Sequence, residues 1–171
     1  MELVSVLAAA VAAYVFGSIW YMTLAKPWMA ATGMTVGDDG RPTNASNPAP
    51  YVVAFVMAIL VAGMMRHIFQ MAGVDTLGKG VTTGLGLGLF IAAPWIVNNV
   101  MFSNKPKQLI LIDGGYAAGG CTVAGVVLSL FLGWKNKRRG PTPRTPSFHP
   151  TCSLSTTRVS EIQGPTFLVF S

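Results

Sequence analysis

Four stretches of about twenty residues run through this chain almost without charge: 3–24, 51–71, 81–102 and 109–134. A helix rises about 1.5 Å per residue, so each stretch is long enough to cross the roughly 30 Å hydrocarbon layer of a bilayer. A helix on a soluble core alternates apolar with polar positions every turn, because one face meets water. These runs do not alternate. Charged residues make up 11% of the chain, against roughly 25% in an ordinary soluble domain, and nearly all of them gather between or beyond the runs. The expected fold is all-α: an integral membrane bundle of four transmembrane helices in residues 1–134, multi-pass in the cell membrane, with bilayer lipid as its immediate partner.

The first run does not read as a cleaved signal peptide. Such peptides begin basic, carry a short apolar stretch and end in small residues. Here the only early charge is Glu2, and the run closes on Trp20-Tyr21, residues suited to a membrane interface. A retained helix terminated by Pro27 is expected, followed by a polar connection over 25–49. In the second run Arg66 and His67 interrupt the apolar pattern near its far end, so Arg66 is expected to reach back to the headgroups along its own aliphatic stem. A short turn from Gly73 to Gly80 leads to the third run, and Ser103 to Gln108 to the fourth. Beyond Trp134 the chain turns basic and then rich in Pro, Ser and Thr. Residues 135–171 are therefore expected to form a disordered tail, and their composition also fits a frameshifted or read-through end.

The net charge of +6 raises the question of nucleic acid, but no recognised binding motif accompanies it. Lys26, Arg41, Lys79, Lys105, Lys107, Lys135, Lys137, Arg138 and Arg139 flank the apolar runs and read as membrane-flanking charge, so no nucleic-acid partner is expected. Four spans place both termini on one side. Arg66, Lys79, Lys135, Lys137, Arg138, Arg139 and Arg144 lie there, against Lys26, Arg41, Lys105 and Lys107 on the other. Cytoplasmic termini follow, an orientation that depends on the basic cluster after Trp134. Cys121 and Cys152 give neither a disulfide framework nor a metal spacing. No metal or other cofactor is expected, and neither a nucleophile–base pair nor any other catalytic set can be assembled, so the chain is not expected to be an enzyme. Asp38 and Asp39 fall in a Gly-rich turn.

Helices in lipid associate through close contact of small residues. Gly80, Gly84 and Gly88 recur every four residues on one face of the third run, Gly115 and Gly119 do so in the fourth, and the first is dense in alanine from Ala8 to Ala13. Tight packing is the expected role of these glycines. Pro94 leaves the Phe90 carbonyl without its donor and predicts a kink. An antiparallel order gathers Trp20, Tyr21, Lys26, Trp28, Tyr51, Trp95, Asn98, Asn99, Asp113 and Tyr116 at the end of the bundle away from the termini. Trp20, Tyr21, Trp95, Asn98, Asn99, Asp113 and Tyr116 are the candidate polar cluster. Two readings stand: an interfacial belt with Asp113 capping the fourth helix, or a ligand site around an ionisable group inside the membrane. Arg66, His67 and Trp134 lie at the opposite end.

GSIWYMTLAKPWMAATGM (Gly17 to Met34), NNVMF (Asn98 to Phe102) and LIDGGY (Leu111 to Tyr116), in that order and spacing, resemble the family of small membrane proteins catalogued as domain of unknown function 1761. The resemblance covers roughly residues 3–134. It implies four membrane helices, a Trp-Tyr pair closing the first, and an Asp-containing start to the fourth. It implies no activity, and the tail departs from its pattern. For function, the residues leave small-solute or ion permeation open, with an oligomer because four short helices enclose little volume. A non-catalytic membrane interaction or assembly subunit is the alternative. Reporter fusions after Gly40, Gly78, Lys105 and Lys135 are expected to alternate, the second and fourth reading as cytoplasmic. A Lys135 fusion on the outside would reverse the orientation.

Overall fold

The computed structural model of the protein describes residues 2–37, 42–43 and 46–139. The turn expected at Asp38 and Asp39 and the tail from 140 onward lie outside the described residues. The helices are α1 (Glu2–Thr23), α2 (Ala25–Thr32), α3 (Ala49–Met71), α4 (Leu77–Leu87), α5 (Ala93–Phe102) and α6 (Gln108–Arg139), with a π-helical turn, Gly88–Ala92, joining α4 to α5. Four spans result: Glu2–Thr23, Ala49–Met71, Leu77–Phe102 and Gln108–Trp134. No more than 33% of any span's most apolar window is buried. Val11, Val15, Ile19, Val53, Leu60, Phe90, Ile91 and Leu130 all point outward. An apolar surface of that extent belongs in lipid rather than water, and the protein is a four-span membrane protein.

The helices depart from the sequence expectation at three boundaries. The first helix breaks at Leu24, three residues before Pro27, and Pro27 sits in the first turn of α2. A proline is tolerated there because the first backbone N–H groups of a helix have no partner within it. α2 ends at Gly33, whose φ of 72° is left-handed, with its N–H bonded to the Met29 carbonyl. The third span begins at Leu77 rather than after Gly80, because Thr76 caps it by accepting from the Lys79 N–H. α6 continues past Trp134 to Arg139, where the tail was expected to begin. Lys and Arg are good helix formers and suit a helix's carboxyl end.

α6 is the hub, packed against α1, α2, α3, α4, the π turn and α5. Val6, Ala9, Ala10 and Ala13 of α1 meet Ala62, Met65 and Phe69 of α3 and Ala124, Leu128 and Leu132 of α6, with Phe69 and Leu128 fully buried. Against α4 the contact is backbone to backbone. A methyl group added at Gly84 would stand 2.5 Å from the Cys121 carbonyl oxygen, and one at Gly88 would stand 2.7 Å from that of Ala117. Gly80 meets the Ser129 side chain and the Gly125 carbonyl. Gly115 and Gly119 play a different part: they admit rings from α1, Trp20 over the first and Phe16 over the second, while Tyr116 occupies the space over Gly17.

One further expectation gains detail and another is corrected. The helix at Pro94 is not plain α-helix. The turn before it widens, so that the Ala93 N–H bonds to the Gly88 carbonyl five residues back, which relieves the clash between the proline ring and the preceding turn. Arg66 does not reach outward. It is 7% exposed, its Nη2 lies 2.8 Å from Glu2 Oε1 and its Nη1 donates to Ser5 Oγ at 2.6 Å. The start of the antiparallel α1 supplies both partners, so the guanidinium turns inward and ties α3 to α1. His67, beside it, faces out.

The glycine contacts give a paired test. Gly84→Ala is expected to destabilise the bundle by about 1–3 kcal/mol, the range for overpacking. Gly86→Ala, with nothing within 4 Å of the added methyl, is expected to be neutral or stabilising by up to about 1 kcal/mol through helix propensity. Equal unfolding midpoints for the two variants in detergent would sink the packing argument.

Candidate functional site

At the end of the bundle opposite Glu2 and Arg139, α1, α2, α5 and α6 bring their polar residues together. Trp20, lying over Gly115, donates its indole N–H to the Ile112 carbonyl at 2.9 Å. One residue on, the Tyr21 hydroxyl donates to Asp113 Oδ1 at 2.9 Å. Two consecutive α1 residues thus fasten to two consecutive α6 residues. The Tyr21 ring has its centroid 5.1 Å from that of Tyr116 and 5.6 Å from that of Trp28, the latter edge-on. α2 delivers Trp28 because it folds back beside α6, seating Ala31 against Val100 and Leu109.

Asp113 lies five residues into α6, about 8 Å along the axis from Gln108, so it is not a cap. It is half-buried and lines a cleft of about 220 Å³ with Ile96, Asn99, Val100, Ser103, Lys105 and Leu109. Ser103 donates to Asn99 Oδ1 at 3.2 Å, and the Lys105 ammonium donates to the Thr32 carbonyl at 3.0 Å. Asn104, with a left-handed φ of 56°, turns the chain at the end of α5 and sets Lys105 over the cleft; Asn tolerates that conformation better than most side chains.

Of the candidate cluster, Trp20, Tyr21, Asp113 and Tyr116 meet at the α1–α6 contact, and Asn99 shares the cleft with Asp113. Trp95 and Asn98 do not join them. Trp95 is 74% exposed, and Asn98 also faces out. In an unbroken helix the face of Gly84 and Gly88 would continue through Ile91, Trp95 and Asn98. The π turn inserts one residue into that rhythm, and the inward positions become Ala93, Ile96 and Val100. Ser103 and Lys105 look like plain loop in the sequence. The signal that marks them is the Asn-Lys-Pro sequence at 104–106, a left-handed turn followed by a helix start. Among the described residues no three His, Cys, Asp or Glu side chains are placed to hold a metal ion.

Residues 4–129 match the model of a family described as protein of unknown function (DUF1761), and the chain belongs to that family. No curated protein and no solved structure matches it.

The Tyr21–Asp113 contact is testable by a double-mutant cycle on unfolding free energy. Tyr21→Phe and Asp113→Ala are expected to show a coupling of about 1–2 kcal/mol, as for a hydrogen bond to a carboxyl group. Strict additivity would mean that the bond contributes nothing to the fold.

Proposed function

We propose that this membrane protein mediates permeation or transport of a small polar solute or ion, with Asp113 at the mouth of the path. The observation that carries this reading is an ionisable group inside a span that lines a cleft at the end of the bundle. Intramembrane carboxyl groups are expensive to keep, and they mark solute and ion pathways by default. The aromatic contacts around Tyr21 hold the carboxyl group in place without closing the cleft. Backbone contact between α4 and α6 closes the space between those two helices. The path accordingly runs between copies of the chain, and the working unit is an oligomer. The chain acts without catalysis, its termini lie in the cytoplasm, and the cleft faces the opposite side of the cell membrane.

Reconstituted vesicles test this reading. Wild-type protein is expected to pass protons, a common cation or a small polar solute above the rate of empty liposomes. Asp113→Asn, which keeps size and hydrogen bonding, is expected to reduce that flux at least roughly tenfold, equivalent to about 1.4 kcal/mol, with folded yield unchanged. Flux no greater than in empty liposomes removes the transport reading and leaves a non-catalytic interaction subunit as the better account.

A further inference from the structure

The cleft carries groups of both charge signs, and the bonds they already make leave a definite remainder. Lys105 commits one ammonium donor to the Thr32 carbonyl and has two more. Asn99 accepts from Ser103 through its oxygen, so both donors of its amide nitrogen remain for the cleft. Asp113 receives Tyr21 on Oδ1, while a carboxylate offers about four acceptor sites. Spare donors therefore lie on α5 and the loop after it, and spare acceptors lie on α6. Ile96, Val100 and Leu109 supply apolar walls between them.

A simple cation entering here meets the Lys105 ammonium, and a simple anion meets the Asp113 carboxylate. A ligand bearing both charges meets neither objection, and it satisfies both sets of groups with charge-assisted hydrogen bonds. Size narrows the class further. A volume of about 220 Å³ lies below the roughly 300–1,000 Å³ range of pockets for drug-sized ligands.

We propose that the cleft between Asp113 and Lys105 binds a small zwitterion, its primary ammonium against Asp113 and its phosphate or carboxylate against Lys105 and Asn99. The proposal rests on the reading of this cleft as a solute site and names the class of solute. Phosphoethanolamine has this chemistry, whether free in solution or as the headgroup of a phospholipid. The cleft, at the end of two spans, is within reach of both sources.

The test measures equilibrium binding, so it does not depend on flux. Full-length protein in phosphatidylcholine nanodiscs is titrated with labelled phosphoethanolamine, phosphocholine and inorganic phosphate. Phosphoethanolamine is expected to bind at least roughly tenfold tighter than phosphocholine, which has no N–H for Asp113, and than phosphate alone. Lys105→Gln can still donate to Thr32, so it is expected to keep the melting temperature while weakening phosphoethanolamine roughly tenfold, and Lys105→Arg is expected to retain most of the affinity. Including phosphatidylethanolamine in the disc separates the sources: loss of soluble-probe binding by competition identifies the lipid headgroup, and unchanged binding identifies a free solute. Equal affinity for the three probes, or for wild type and Lys105→Gln, overturns the assignment. Vesicles that pass metal cations while no zwitterion binds would overturn it and leave the transport reading standing. Zwitterion binding without flux would support it and remove that reading.

Discussion

Where α4 and the π turn meet α6 at Gly84 and Gly88, no side chain separates the two backbones, and the remaining contacts are arranged around that approach. Lipid tails are as apolar as leucine, so two helices gain nothing by hiding apolar surface from them. They gain from atoms brought within van der Waals range, and a glycine stripe brings the most. With α4 drawn in, α6 lies at the centre of the bundle. Two glycines of α6 itself, Gly115 and Gly119, then receive Trp20 and Phe16 from α1. Because Trp20 is seated over Gly115, its neighbour Tyr21 reaches Asp113. The placement of the carboxyl group is thus downstream of the places where side chains are missing.

The two ends of the bundle treat charge in opposite ways. Arg66 is withdrawn between α1 and α3, matched by Glu2 and Ser5 within hydrogen-bond distance. It acts as a clasp. Removing Glu2 would leave the guanidinium buried with Ser5 as its remaining partner, which is destabilising, whereas Glu2 itself is 65% exposed. Asp113 and Lys105 each hold one firm partner and keep capacity for more. Both ends place an ionisable group in a span; Arg66 is enclosed by its partners whereas Asp113 opens on a cleft, which is why the proposed function is placed there.

Much of this is legible in the sequence. The four spans follow from run length and charge, and the four-residue rhythm from Gly80 to Gly88 falls on the face that meets α6. The Trp-Tyr pair and Asp113 fall at the same end once an antiparallel order is assumed. The failures have physical causes that a helical wheel does not carry. A constant period puts Trp95 and Asn98 in the cluster, and the π turn shifts that period by one residue. Composition sends Arg66 to the headgroups because its partner, Glu2, lies on a different helix. Pro27 looks like a stop although a proline equally suits a helix start, and so α2, which delivers Trp28, is hidden in the sequence. Each miss involves information shared between neighbouring turns or between segments distant in the chain.

The central position of α6 bears on how the protein is made. Translation produces α6 after every helix it packs against, so a nascent chain holds α1, α3 and α4 in the membrane with their main partner still absent. α1 and α3 have each other, joined along their alanine faces and by the Arg66 clasp. α4 lacks such company, because its strongest contacts are with α6. Until that helix arrives, Gly80, Gly84 and Gly88 present bare backbone to lipid, a surface that any other close-packing helix could occupy. Biogenesis therefore has a period of exposure whose length is set by the synthesis of the residues from Gly88 to Ser129. The chain is most open to a membrane chaperone, and to mispairing, during that interval.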